Sequence, residues 1–147
     1  MIGDPTGLEW VTTRHRMAVR ENVRDMPREG DGVLLYRSRG ALRNPTRDKA
    51  QIIAVGTVSG PPHHEVVEVG DREYARWFPI RFDALSLPRA GLDFGPFVSK
   101  LELTSDKAPT AWGATMRRPL VRLTDRDFRL LDKAYRRHVA GRPASAS

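Results

Sequence analysis

Apolar and polar positions alternate along this chain in short blocks, with only one long amphipathic stretch. Leu8–Thr12, with Trp10 and Val11, has the length of a strand. Over Arg14–Met26, residues Val19, Val23 and Met26 recur at helical spacing, which predicts a helix that Pro27 and Gly30-Asp31 break. Val33–Tyr36 and Ile52–Val58 are unbroken apolar runs of strand length. Gly56 in the second allows a bulge or a close backbone approach. Glu65–Val69 and Arg72–Phe82 flank Gly70-Asp71, a hairpin turn signal. In the second of these strands Tyr74, Phe78, Ile80 and Phe82 share one face, while Ala75, Trp77 and Arg81 share the other. Pro79 predicts an edge or a bulge there.

The second half is less regular until its end. Pro88–Pro96 reads as loop, Phe97–Leu103 fits helix or strand equally, and Pro109–Pro119 is irregular. Leu120–Leu123 is a last strand candidate. Thr124 followed by Asp127 resembles a capping box with a short third member. Beyond it Phe128, Leu131, Tyr135 and Val139 form a core-facing stripe, and Arg126, Arg129, Lys133 and Arg137 occupy another face. Strands with hairpins and two helices predict an α+β domain on a curved, largely antiparallel sheet or small barrel. The expected division is a flexible N-terminus over 1–7, one domain over 8–140 and a disordered tail over 141–147. Met1–Gly7 lacks the positive and apolar regions of a signal peptide.

Composition narrows the function classes. The 147 residues contain no cysteine, which excludes zinc-thiolate sites, thiol enzymes and disulfide scaffolds. No apolar run is long enough to span a bilayer. The net charge is +7, with 25 Lys+Arg, of which only Lys49, Lys100, Lys107 and Lys133 are lysines. The surplus sits at both ends: residues 1–50 are net +3, 51–109 net −2 and 110–147 net +6. Ends that meet in space would make one basic face suited to a polyanion. An arginine-rich chain also places Arg at ordinary surface positions, so charge alone names no partner.

Catalytic and metal signatures are missing. His63-His64 is the one histidine pair, and neighbours on a strand point to opposite faces. The chain has no HExxH, no G-x-S-x-G, and in Gly30-Asp31-Gly32 no phosphate-loop lysine. No catalytic residue, metal or cofactor is therefore expected. The aromatics are more suggestive: Trp10 precedes Arg14 and Arg16, Tyr36 precedes Arg37, Ser38 and Arg39, and Trp112 precedes Arg117 and Arg118. Bases stack on such rings while arginines hold phosphates. Most large aromatics of a small domain are nonetheless core.

The segment PREGDGVLLYRSR (Pro27–Arg39), then QIIAVGTVSGPP (Gln51–Pro62), REYARWFPIRFDAL (Arg72–Leu85) and RRPLVRLTDRDFRLL (Arg117–Leu131), resembles the EVE domain of the PUA-like superfamily. The resemblance covers about Leu8–Tyr135. The tryptophan-rich opening of many EVE proteins is reduced here to Glu9-Trp10-Val11. It implies a curved mixed β-barrel of about five to six strands with two to three packed helices. It also implies a pocket for a modified base, as in the related YTH domains. By position the pocket would draw on Trp10, Thr13, Arg14, Tyr36, Ser38, Arg39, Trp77 and Trp112. Arg16, Arg37, Arg43, Arg47, Arg117 and Arg118 would contact the nucleic-acid backbone. The function expected is a non-enzymatic reader of 5-methylcytosine or a related modified cytosine in double-stranded DNA, flipped out of the stack. Such a protein would be cytoplasmic and associated with the nucleoid. Two alternatives stand beside it: a general RNA- or tRNA-binding PUA-like module, and a hydrolase of a modified nucleoside resembling the ASCH branch.

Overall fold

The structure is a computed structural model and describes residues 5–39, 49–87, 89–105, 116 and 118–141. Its elements are α1 (Pro5–Arg14), β1 (Arg16–Val19), β2 (Gly32–Arg37), β3 (Gln51–Val58), β4 (Val67–Val69), β5 (Arg72–Tyr74), β6 (Arg76–Leu85), β7 (Leu92–Asp93) and α2 (Asp125–Ala140), with a 3-10 turn at Gly95–Phe97. The fold is α+β: a curled antiparallel half-barrel sheet in the order β1-β6-β3-β2, a separate hairpin β4-β5, and two helices among the described residues.

Strand β3 is the centre. It pairs with β2 on one edge, and on the other with β6 over Ala54–Val58 and with β7 over Gln51–Ile52. Seven of its eight residues are buried, hence the unbroken apolar run in the sequence. Adjacent residues Ile53 and Ile52 belong to two different core clusters, as alternating side chains must. The first cluster contains Leu8 and Val11 of α1, and the second Leu131 and Tyr135 of α2. Each helix thus covers its own cluster. A Cβ at Gly56 would lie 2.3 Å from the Arg81 carbonyl oxygen, and the β3–β6 register shifts between Val55 and Gly56. Both features expected of this glycine occur. Gly70, at φ +65°, turns the two-residue loop of the β4-β5 hairpin.

Three readings of the pattern are corrected. Leu8–Thr12 is helix rather than strand, because Leu8 and Val11 are buried one helical turn apart. The predicted helix Arg14–Met26 is not formed. α1 ends at Arg14, His15 takes the left-handed conformation at φ 55°, and Arg16–Val19 pairs with β6. Val23 and Met26 still pack on the first cluster, from irregular chain. Sheet pairing overrode a helical spacing of only three residues. Third, Leu120–Leu123 forms no strand and pairs with none among the described residues: Leu120 packs on the first cluster and Leu123 on the second.

Pro79 is neither at an edge nor at the bulge. β6 pairs with β1 through Arg76–Pro79 and with β3 through Ile80–Leu85, and Pro79 lies where the partners change. Gly70-Asp71 turns the hairpin as expected, but the long second strand splits at Ala75 into β5 and β6. Residues 1–4 and 142–147 of the expected terminal segments lie outside the described residues.

Helix α2 follows the predicted stripe, with Leu131 and Tyr135 buried and Phe128 and Val139 half-buried. Thr124 caps it, accepting from the Asp127 amide at 3.2 Å. Asp127 does not return the bond. Its carboxylate is fully buried and accepts from the amides of Glu102 and Leu103 at 2.9 and 3.0 Å, with Arg126 at 3.3 Å. The short side chain thereby ties the Phe97–Leu103 turns to the helix. Asp127→Ala is expected to cost about 3 kcal/mol, because it orphans two amides and the Arg126 contact. Thr124→Ala is expected to cost about 1 kcal/mol, the usual value of an N-cap. Chemical denaturation measures both, and equal losses would show that the Asp127 tether contributes nothing beyond the cap.

Candidate nucleic-acid interface

Among the described residues β1 and β2 are the outer strands of the curled sheet, and two adjoining cavities lie beside them. One, of about 670 Å³, is lined by Met17, Phe78 and Ile80 on the β1 side and by Val33–Tyr36 on the β2 side. Phe128 and Leu131 of α2 and residues 118–123 complete it. The other, of about 700 Å³, lies among Trp10 and Val11 of α1, the 20–25 segment, and Arg72 and Tyr74 of β5. Met17, Arg24, Asp25 and residues 118–120 line both, so the two form one cleft with a shared wall.

One side chain ties down the backbone of the irregular 20–25 segment, while its Val23 packs on the first core cluster. Arg76 Nη2 donates to the carbonyls of Arg20 at 2.8 Å, of Glu21 at 3.0 Å, and of Val23. Backbone carbonyls that a helix would have satisfied internally are satisfied here by a guanidinium fork. Across the opening, Arg122 and Asp25 approach at 3.5 Å, an exposed pair that contributes little.

The cleft carries unspent positive charge. Arg20, Arg24, Arg72 and Arg118 are exposed and make no side-chain hydrogen bond or ion pair among the described residues. Asp25 is the one acid lining the second cavity among the described residues. An aromatic, partly apolar hollow with cations at its lip suits a flat anionic ligand, and its volume lies within the range of small-molecule sites.

The residues expected at the pocket are dispersed. Trp10 is half-buried and lines the second cavity, Tyr36 lines the first, and Arg118 lines both. Thr13 and Arg14 are exposed on the last turn of α1 and line neither. Ser38 is half-buried, its carbonyl accepting from Arg37, and Arg39 is exposed. Trp77 and Arg16 do meet: the guanidinium lies 4.2 Å from the ring centroid. His63 stacks on the same indole at 4.0 Å and 4°, and Glu65 accepts from its Nε1 at 3.4 Å. With its neighbours in place Trp77 is only 7% exposed, so no bare face remains for a base. Trp112, Arg43, Arg47 and Arg117 lie outside the described residues.

Arg37 requires a correction. It is 1% exposed, and its Nη2 donates to the Lys49 carbonyl at 2.9 Å and to Gln51 Oε1 at 3.0 Å. Gln51 passes the contact to Asp93 at 2.9 Å. Arg37 is thus spent on joining β2, β3 and β7 and presents no charge at the surface. Its neighbour Tyr36 packs edge-to-face on Phe94 at 5.2 Å. Burial pushes the Tyr36 phenol up to about 12, against the opposing pull of the Arg37 charge, so it is neutral at any physiological pH.

Sequence reasoning missed Arg20, Arg24, Arg72, Tyr74 and Met17. The first two were hidden on the solvent side of the helix expected over Arg14–Met26. Arg72 and Tyr74 looked like ordinary hairpin residues. The polar run Arg20–Asn22, which interrupts the apolar positions, was the one available signal that this stretch leaves regular structure.

Replacing Arg76 with Met keeps the aliphatic stem and removes the donors. The expected outcome is a stability loss of about 1–3 kcal/mol and amide exchange in residues 20–25 faster by at least about tenfold. Unchanged exchange there would show that the segment needs no anchor.

Among the described residues no three His, Asp or Glu side chains gather as a metal-binding group, and no helix is long and apolar enough to cross a membrane. No family model matches the chain, and no curated protein matches it significantly.

Proposed function

We propose that the protein binds nucleic acid and reads a modified base, with 5-methylcytosine in DNA as the leading ligand. The fold is then the EVE form of a PUA-like barrel, and the cleft between the β1 and β2 edges is the base site. The observation that carries this reading is the cleft itself: two adjoining hollows with an aromatic and apolar lining, and with Arg20, Arg24, Arg72 and Arg118 unpaired at the lip.

The energetics define what each part does. A base inside a duplex is out of reach of a pocket, so it must be flipped, at a cost of a few kcal/mol. Stacking on an aromatic returns about 1–3 kcal/mol per base. The lip arginines attract phosphates without regard to sequence. The methyl group supplies only about 0.8 kcal/mol of apolar transfer. Selectivity beyond several-fold therefore comes from the fit of the apolar lining around Met17, Val33 and Leu35. No described group is assigned a catalytic step.

Two measurements test the reading. Affinity should fall with salt, with a slope near −0.9 per phosphate contacted, so about −3 to −4 if the four lip arginines each engage one. Duplexes bearing cytosine, 5-methylcytosine, hydroxymethylcytosine and N6-methyladenine, with a matched RNA competitor, should rank a modified cytosine first. Met17→Trp fills the wall common to both cavities and should bring the modified-to-plain ratio within about twofold of one while plain binding persists. Arg24→Gln with Arg118→Gln should weaken all duplexes alike and flatten the slope by about 2. Equal wild-type affinity for modified and plain duplexes in several contexts overturns the base-reading proposal, and preference for the RNA competitor replaces DNA with RNA as the partner.

A further inference from the structure

We propose that the outward face of α2 is a track for nucleic-acid phosphates, which extends the contact beyond the cleft. The inference rests on the reading of this protein as a nucleic-acid binder, and it adds a second contact surface to that site.

The face is built by periodicity. At about 100° per residue, Arg126, Arg129, Lys133 and Arg137 fall within an arc of roughly 80°. The buried Asp127, Leu131 and Tyr135 lie on the opposite side of the helix. All four cations are exposed. The acids of α2 are elsewhere: Asp127 is buried against the Glu102 and Leu103 amides, Asp132 is paired with Arg136, and Asp125 lies off the arc in the first turn.

The contrast with Arg136 separates this face from an ordinary solvated one. Arg136 lies at the flank and is fully occupied, at 2.7 Å from Asp132 and 3.0 Å from Asp83. Arg129, Lys133 and Arg137 have no ion pair or side-chain hydrogen bond among the described residues. Spaced four residues apart, they repel one another instead of alternating with acids. The helix dipole accounts for a cation in the last turn, where Arg137 sits, but not for Arg129 or Lys133.

The dimensions suit a phosphate backbone. Rows four residues apart rise about 6 Å, so the three unpaired cations span about 12 Å. One strand of a duplex rises about 3.4 Å along its axis per phosphate while winding around it, so such a track faces about two or three phosphates. The track begins beside the cleft, since Asp125 and Phe128 in the first turn of α2 line the first cavity. A strand that leaves the cleft along α2 meets these cations in succession.

The test uses the full chain with Arg129→Gln, Lys133→Gln and Arg137→Gln combined, since glutamine keeps helix propensity while removing charge. Circular dichroism checks the fold, and the variant with arginine at 129 and 137 changed to lysine keeps the charge. Anisotropy of a labelled duplex of about 20 base pairs, with and without 5-methylcytosine, is followed from low to moderate salt. The triple glutamine variant should bind at least tenfold more weakly at low salt, with a slope flatter by about 2–3 and an unchanged modified-to-plain ratio. The lysine variant and Arg136→Gln should keep the wild-type slope. A wild-type slope in the triple variant overturns the track. So does charge-dependent binding of phosphatidylserine vesicles with duplex binding untouched, or a wild-type chain that binds neither duplex nor RNA. Loss of slope in the triple variant, from a wild-type chain that ignores methylation, supports the track and refutes the base-reading proposal.

Discussion

Strand β6 gives its first four residues to β1 and its last six to β3, and Pro79 sits at the join. The amide of Ile80 donates to His15 on the β1 side, while the Pro79 carbonyl accepts from Ser59 on the other. Alternate residues of an antiparallel strand direct their backbone groups to opposite sides. The missing proline N–H therefore falls on the side where Gly60-Pro61-Pro62 departs from the sheet, and it removes nothing from the β1 ladder. Because no neighbour among the described residues runs the full length of β6, the sheet curls, and β1 and β2 are its outer strands beside the hollow. A proline that would weaken an ordinary central strand is thus tolerated at the one place where the ladder already changes hands.

The same constraint divides the arginines. Some are consumed in holding the curl together. Arg76 fastens the 20–25 segment next to its own strand, Arg37 joins three strands at the far end, and Arg16 lies over Trp77. Others stand unpaired around the opening and along α2. In the sequence these two populations look alike. Burial and a carbonyl partner remove a guanidinium from the surface field as effectively as neutralisation would, so the net charge overstates what a polyanion meets near β2.

What was legible in the sequence follows from how local each signal is. Val33–Tyr36, Ile52–Val58, the Gly70-Asp71 turn and the capped α2 were readable because their hydrophobic runs, turn residues and cap are complete within a few residues. Leu8–Thr12 and Arg14–Met26 were exchanged between helix and strand because each offers only two or three apolar positions, and pairing with β6, some sixty residues away, decides the matter. The site suffered more than the fold. Trp77 and Tyr36 were readable as aromatics near arginines, but His63 and Arg16 cover one and Phe94 packs on the other. Such contacts come from distant segments and leave no trace in spacing. The EVE resemblance placed interest on the ends of Leu8–Thr12 and Val33–Tyr36, but Thr13, Arg14, Ser38 and Arg39 there line neither cavity. Two of the four arginines at the lip, Arg20 and Arg24, belong to a segment the resemblance did not single out.

Discrimination in such a cleft depends on rigidity more than on contact number. A methyl group is worth about 0.8 kcal/mol on transfer, and a wall that yields to accommodate or ignore it forfeits that difference. The floor residues Phe78 and Ile80 are 1% and 3% exposed and belong to the core, so they are fixed by packing. The part of the lip that carries Arg20 and Arg24 is different in kind: it is irregular chain, whose backbone carbonyls Arg76 gathers. Ordering a loop at the moment of binding subtracts its conformational entropy from affinity. On the base-reading proposal, Arg76 meets that cost during folding by holding the backbone that carries Arg20 and Arg24. On that proposal, a side chain outside the opening governs how much of the arginine field there is converted into affinity.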